Sequence, residues 1–178
     1  DLGDGNIFAV GTGGVCLRSD DGGETWTLLP TFTNAWLLGV DFTDPLHGTI
    51  VGEKDLQGII LRTEDGGQNW TRQDKPGMPW LESVDFIDND TGVIVGWSGS
   101  VFWTEDGGTN WLAKTTDVST RLYSISLLDS QTAVACGASG VICRTEDGGM
   151  TWTLPTSHSI GRLESVAFAG TAIGVIAG

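Results

Sequence analysis

Hydrophobic and polar residues alternate along this chain in short runs, and the runs themselves recur. Leu37, Val40 and Phe42 in WLLGVDF (36–42) return as Leu81, Val84 and Phe86, as Leu122, Ile125 and Leu127, and as Leu163, Val166 and Phe168. Alternation at period two over this length predicts a β-strand, strand A of a repeating unit. A polar turn follows, as in TDPLHG (43–48) and IDNDTG (87–92). Next comes an apolar strand B: IFAVG (7–11), TIVG (49–52), VIVG (93–96), AVACG (133–137) and GVIAG (174–178). A glycine-flanked turn leads to strand C, in GVCLRS, GIILRT, GSVFWT and GVICRT, and a last turn leads to a short strand D carrying a tryptophan. Nothing has the periodicity of a long amphipathic helix.

The turn between C and D is the most regular part of the unit. It reads SDDGGETW (19–26), TEDGGQNW (63–70), TEDGGTNW (104–111) and TEDGGMTW (145–152). Its acids Asp21, Asp65, Asp106 and Asp147 are spaced by 44, 41 and 41 residues, the first interval being lengthened by EKDLQ (53–57). Self-similarity at about 40–45 residues is the size of a four-stranded propeller blade. The chain is therefore expected to be all-β, a β-propeller of four-stranded antiparallel blades. Residues 1–178 read as a single domain of about four blades: a partial unit at 1–30, full units at 37–71, 81–112 and 122–154, and a partial unit at 163–178. Strand A at 163–168 could complete the N-terminal blade, leaving one B strand surplus. Completion by oligomerisation, or membership of a larger ring, is the alternative.

The turn chemistry predicts a folding element. Asp-Gly-Gly makes positive φ inexpensive. The Ser or Thr hydroxyl and the Asp carboxylate can bond backbone groups left free in the turn. The tryptophan supplies an apolar cover. A catalytic loop is expected once, whereas this one occurs four times. A structural role is thus expected for Asp21, Trp26, Asp65, Trp70, Asp106, Trp111, Asp147 and Trp152.

The pattern S/T-x-D-x-G-x-T/N-W resembles the Asp-box, or bacterial neuraminidase repeat. The longer unit, best seen in LESVDFIDNDTGVIVGWSGSVFWTEDGGTNW (81–111), is similar to the photosystem II stability/assembly factors and their bacterial relatives. The resemblance spans essentially the whole chain. It implies a β-propeller, usually of seven blades, that binds protein partners and is not an enzyme. It also implies Asp-box hairpins on the face away from the ligand, and an extracytoplasmic setting (periplasmic, lumenal or secreted). This chain holds about four such units rather than seven. Asp-boxes occur too in secreted carbohydrate-active proteins, so a saccharide-binding or sialidase-like glycoside hydrolase is the second reading.

Charge narrows the partners. Only nine Lys and Arg stand against 23 Asp and Glu, for a net charge of −14. No basic run exists, which argues against a nucleic-acid groove. The least polar stretch, 166–178, is too short and glycine-rich to span a bilayer. Cys16, Cys136 and Cys143 form no CxxC and read as small apolar strand residues, although Cys136 and Cys143 could face each other across a hairpin.

Strand order puts the D–A connections and B–C turns at one end of the blades, opposite the Asp-boxes. Just before strand A the aligned residues are Trp36, Trp80, Arg121 and Arg162, and two positions on are Leu38, Glu82, Tyr123 and Glu164. Lys54, Asp55 and Trp97 come from the B–C turns, and His158 from the last D–A loop. These positions vary while the framework repeats, which is where a specific surface can be built. Trp36, Trp80, Trp97, Arg121, Tyr123, Arg162, Glu82 and Glu164 are therefore the candidate partner- or ligand-binding face. Each also has a plain packing reading: Trp36 and Trp80 as wedges between blades, Arg162 with Glu164 as a surface ion pair.

Other chemistry lacks its residues. IDNDTG has Val93 and Gly99 where an EF-hand loop needs Gly and Glu. GTGG (11–14) lacks a dinucleotide site's third glycine. A sialidase needs an arginine cluster and a tyrosine nucleophile, and Tyr123 is the only tyrosine. Glu82 and Glu164 could serve as a carboxylate pair, but the repeat explains their equivalence equally well. No catalytic residue, metal or cofactor is expected; a protein partner or self-association into a homo-oligomer is, with a saccharide as the alternative ligand.

Overall fold

The computed structural model describes residues 5–157, 159–170 and 173–178; His158 lies outside the described residues. The chain divides into two compact units, Asp1–Leu81 and Glu82–Gly178.

In the first unit, β1 (Ile7–Val10), β2 (Cys16–Ser19) and β3 (Thr27–Leu29) form a three-stranded antiparallel sheet. They are strands B, C and D of the first repeat. A complete meander follows: β4 (Trp36–Phe42), β5 (Gly48–Lys54), β6 (Gln57–Thr63) and β7 (Thr71–Arg72). β5 has a neighbour on each edge and is buried from Gly48 to Glu53. Cys16, Ala35, Leu37, Ile50, Ile59 and Leu61 make the core, with Val10, Leu29, Val40 and Trp70 packed against it.

The second unit repeats the plan. β8 (Leu81–Phe86), β9 (Gly92–Gly96), β10 (Val101–Thr104) and β11 (Leu112–Lys114) form a four-stranded sheet that begins at the boundary residue. β12 (Leu122–Leu127), β13 (Ala133–Gly137) and β14 (Ile142–Thr145) form the next, and β15 (Ser165–Ala169) pairs with β16 (Ile173–Ala177). The main core gathers Val93, Val95, Trp103, Leu122, Ile125, Leu127, Ala135, Cys143 and Trp152. A second cluster gathers Leu128, Val134, Cys136 and Val166, with Ile142, Leu163, Phe168 and Ile176 against it. Among the described residues no helix is long and apolar enough to cross a membrane.

Three details differ from the sequence reading. The Asp-box tryptophan precedes strand D rather than lying in it: Trp26, Trp70 and Trp111 each stand one residue before β3, β7 and β11. In the fourth repeat D shrinks to a single bridge, Arg144 to Thr153. Cys136 and Cys143 do not face each other. Cys143 is opposite Ala135 and Cys136 opposite Ile142, so the period-two pleat sends the thiols to opposite faces and into different clusters. All three cysteines are free and buried, and burial pushes their thiols up to about 11 for Cys16 and Cys136 and about 12 for Cys143.

Turns at the A–B corners hold a repeated device that the sequence reading passed over. Asp44 Oδ1 accepts from the N–H groups of Leu46 and His47, Asp88 Oδ1 from Asp90 and Thr91, and Asp129 Oδ1 from Gln131 and Thr132, all at 2.6–2.9 Å. Those backbone donors hold the Asp88 and Asp129 carboxyls below the usual range.

Candidate functional site

Each blade has two ends, and their chemistry differs. At one end are the Asp-box hairpins. In the second repeat the Thr63 hydroxyl donates to Asp65 Oδ1 at 2.9 Å while accepting from the N–H of Gly67 at 2.9 Å. Asp65 Oδ1 also accepts from Asn69 N, and Oδ2 from the Asn69 side-chain amide. Ser19–Asp21–Thr25, Thr104–Asp106–Asn110 and Thr145–Asp147–Thr151 repeat the arrangement. Trp26 and Trp70 donate from Nε1 to the carbonyls of Gly23 and Gly67 at 3.1 Å. A second clasp ties the hairpin to the A–B turn of its own unit: Gly66 N donates to Leu46 O, Gly107 N to Asp90 O and Gly148 N to Gln131 O, each at 2.9 Å. Donors from the residue four places on are the largest influence holding Asp21 and Asp147 down to about 2, and they lower Asp65 as well.

At the other end of the second unit, Trp97 and Arg121 meet on the Glu82 carboxylate, and Tyr123 lies beside Arg121. Glu82 Oε1 accepts from the Trp97 indole N–H at 2.8 Å and pairs with Arg121 Nη2 at 2.7 Å. The Arg121 guanidinium carbon lies 5.1 Å from the centre of the Trp97 ring and 4.8 Å from that of Tyr123. Arg162 lies 4.7 Å from the Tyr123 ring and pairs with Glu164 at 3.0 Å. The side chains form a graded series, Glu82 being 7% exposed, Arg121 32% and Arg162 61%. Buried Glu82 anchors Arg121, the Tyr123 ring lies beside both guanidinium groups, and Arg162 is the more exposed of the two.

Backbone irregularity aims this group. The register between β12 and β13 slips between Leu122 and Ser124, leaving Tyr123 on a β-bulge. The β4–β5 pair slips at the equivalent place, leaving Leu38. A bulge re-aims the side chain it carries. The neighbouring B–C turns are short stretches of 3-10 helix, Trp97–Gly99 and Ala138–Gly140, pressed against the incoming D–A segments. A Cβ on Gly99 would come within 1.9 Å of Val118 O, and one on Gly140 within 2.0 Å of Ser159 O, with φ of +67° and +71°.

The first unit presents a different surface at its loop end. Trp36 and Leu38 are exposed on and near strand A, together with Phe32 in the D–A loop and Leu56 in the B–C turn. Phe32 and Leu56 both hold positive φ, 53° and 67°. Trp80 is half-buried. None of these was flagged by sequence except Trp36, Leu38 and Trp80, because Phe32 and Leu56 fall outside the repeat. Among the described residues no group of three His, Cys, Asp or Glu side chains is placed to hold a metal ion.

A family model described as Photosynthesis system II assembly factor YCF48 matches residues 28–175, and a BNR/Asp-box repeat model matches residues 17–28. No curated protein sequence matches the chain. Among solved structures, YCF48 bound to D1 peptide is similar with a TM-score of 0.57 and 17% identity, over 96% of this chain and 84% of that one. YCF48 from Cyanidioschyzon merolae is similar with a TM-score of 0.70 and 25% identity, over 92% and 56%. A GH74 enzyme from Niastella koreensis reaches a TM-score of 0.74 at 17% identity, over 92% and 31%. The chain thus spans little more than half of the Cyanidioschyzon protein and under a third of the GH74 enzyme. The fold is that of β-propeller blades.

Proposed function

The chain belongs to the photosynthesis system II assembly factor YCF48 family, and from that premise we propose that it is a non-enzymatic scaffold that binds a protein partner through its loop end. The observation that carries the reading is the series Glu82–Arg121–Tyr123–Arg162 with Trp97. Arginine and the large aromatics are the residue types that dominate binding energy at interfaces. A guanidinium stacked on rings keeps its in-plane N–H donors for acceptors on a partner, and it is held in place before the partner arrives. The partner class comes from the related YCF48 structure, which is bound to D1 peptide.

The test is a titration of the chain with a fluorescently labelled D1 peptide. Wild type binds, and Arg162→Ala weakens binding by about tenfold or more, the loss of ~1.4 kcal/mol expected of an interface anchor. Absence of binding by wild type, or equal binding by the variant, overturns the reading. The glycoside hydrolase alternative draws on the likeness in fold to GH74 enzymes. Its carboxylates would be Glu82 and Glu164, each engaged by an arginine. Release of reducing sugar from a polysaccharide panel, abolished in Glu82→Gln, would favour it instead.

A further inference from the structure

Each Asp-box contains an Asp–Gly bond: Asp21–Gly22, Asp65–Gly66, Asp106–Gly107 and Asp147–Gly148. Among sequences that begin with Asp, Asp-Gly rearranges most readily to isoaspartate, because Gly offers no side chain to hinder the attack. The glycine backbone nitrogen attacks the Asp Cγ, forming an N–Cγ bond. The carboxyl oxygen leaves, and with the displaced amide hydrogen and the acid proton it departs as one water. The resulting succinimide then takes up one water at either carbonyl, returning Asp or giving isoaspartate, with no net change in mass and no oxidant or co-reactant besides water. The reaction needs a glycine nitrogen able to turn onto Cγ and a carboxyl oxygen protonated so that it can leave.

The fold withholds both. The nitrogens of Gly66, Gly107 and Gly148 are engaged with the carbonyls of Leu46, Asp90 and Gln131 at 2.9 Å, and Gly22 N with Gly5 O at 3.0 Å. Each carboxylate is turned toward the residue four places on. Asp65 binds Asn69 through both oxygens, Asp106 binds Asn110, and Asp21 and Asp147 bind Thr25 and Thr151. The hydroxyl of Ser19, Thr63, Thr104 or Thr145 adds a further donor to Oδ1. These bonds also favour the ionised form, which is the unreactive one.

We propose that the Asp-box is a chemical lock on a modification site: four latent isoaspartate positions, Asp21, Asp65, Asp106 and Asp147, are kept silent by the closed hairpin and become reactive only where a hairpin opens. The inference stands apart from the partner-binding reading, since no residue of the loop end takes part. Isoaspartate in this protein is then a site-by-site record of hairpin opening, and a target for enzymes that methylate isoaspartyl carboxylates.

The test ages the folded chain at neutral pH and maps isoaspartate by isoaspartyl methyl transfer and electron-transfer fragmentation. The reference is the free peptide TEDGGQNW, aged alongside. The expected result is at least about tenfold slower conversion at Asp65 in the protein than in the peptide. The Asn69 and Thr63 donors that hold the Asp65 carboxyl below its ordinary value also lower the protonated, reactive fraction. Thr63→Val raises conversion at Asp65 and leaves Asp106 and Asp147 at their wild-type rates. If that variant does not fold, wild type aged across a urea series replaces it, and conversion at the four sites climbs as the hairpins open. Conversion of Asp65 in folded wild type as fast as in the peptide, an unchanged rate in Thr63→Val, or rates insensitive to urea overturn the proposal.

Discussion

The two ends of a blade solve opposite problems with the same backbone. At the Asp-box end, four hairpins make the same bond from the second glycine N–H to the Ser or Thr hydroxyl at 2.8, 2.9, 2.9 and 3.0 Å. The Asp carboxylate and the Ser or Thr hydroxyl of each turn are engaged within eight residues of sequence, so little of their polar capacity remains to read a partner. At the loop end of the second unit, equivalent positions carry different side chains and different bonds. Arg121 is held by a buried glutamate and two rings, while Arg162 is held by one ring and an exposed glutamate. Chemistry that repeats closes the turn. Chemistry that varies on that frame gives the chain a face of its own.

The largest effect should come from opening a hairpin. Thr104 is buried, and its hydroxyl donates to Asp106 while accepting from the buried Gly108 N–H. Thr104→Val keeps the shape and strands that N–H, costing about 2 kcal/mol. Urea denaturation reads this directly, and melting should fall by about 5 °C for a chain of this size. D1-peptide affinity at a temperature where the variant is folded should stay at the wild-type value. A loss of affinity without a loss of stability would break the separation between the two ends.

The repeat made most of the architecture legible beforehand. Val40, Val84, Ile125 and Val166 mark strand A four times over, so a single misreading is corrected by three other copies. The Asp-box was readable for the same reason, since Ser/Thr, Asp and Gly at fixed offsets leave few ways to satisfy the turn. Equivalence also put Arg121, Tyr123, Arg162 and Glu164 at one end. It did not show that Tyr123 would stand between two guanidinium groups, because that depends on a bulge at Leu122–Ser124 and on contacts from one blade to the next. A period of 41 residues records what each blade does to itself and is silent about its neighbour. The capping aspartates Asp44, Asp88 and Asp129 were hidden differently: polar turns are full of Asp and Asn, and only geometry shows which one takes the two backbone donors.

A smaller effect should follow acid. Asp21 and Asp147 sit at about 2 in the folded chain against an ordinary 3.8, and Asp65 is also lowered. Folding therefore favours the ionised form. The contribution is complete above about pH 4 and is lost as pH falls through about 2, where the folded carboxyls take up protons. Amide proton shifts of Thr25 and Thr151, which donate to these carboxylates, should titrate with midpoints near 2 in the protein and near 4 in free octapeptides. Midpoints near 4 in the folded protein would mean the hairpin bonds do not favour the ionised form, and the contrast with the loop end would weaken.

The smallest effect should be the stability cost of Arg162→Ala. Its pair with Glu164 joins side chains 61% and 58% exposed, where screening leaves an ion pair almost nothing to contribute. Its stacking on Tyr123 adds about 0.5–1 kcal/mol at an exposed site. The total should stay under about 1 kcal/mol, and raising the salt concentration should change it little because the ring contact outweighs the ion pair. A residue that does so little for the fold, beside a buried glutamate that orders its inner neighbour Arg121, is what the proposed contact surface requires: the buried partner sets the geometry and the exposed one is accessible to another molecule. A loss of 2 kcal/mol or more in Arg162→Ala would place Arg162 in the framework with Arg121. The line between the repeated end and the variable end would then have to be drawn outside both arginines.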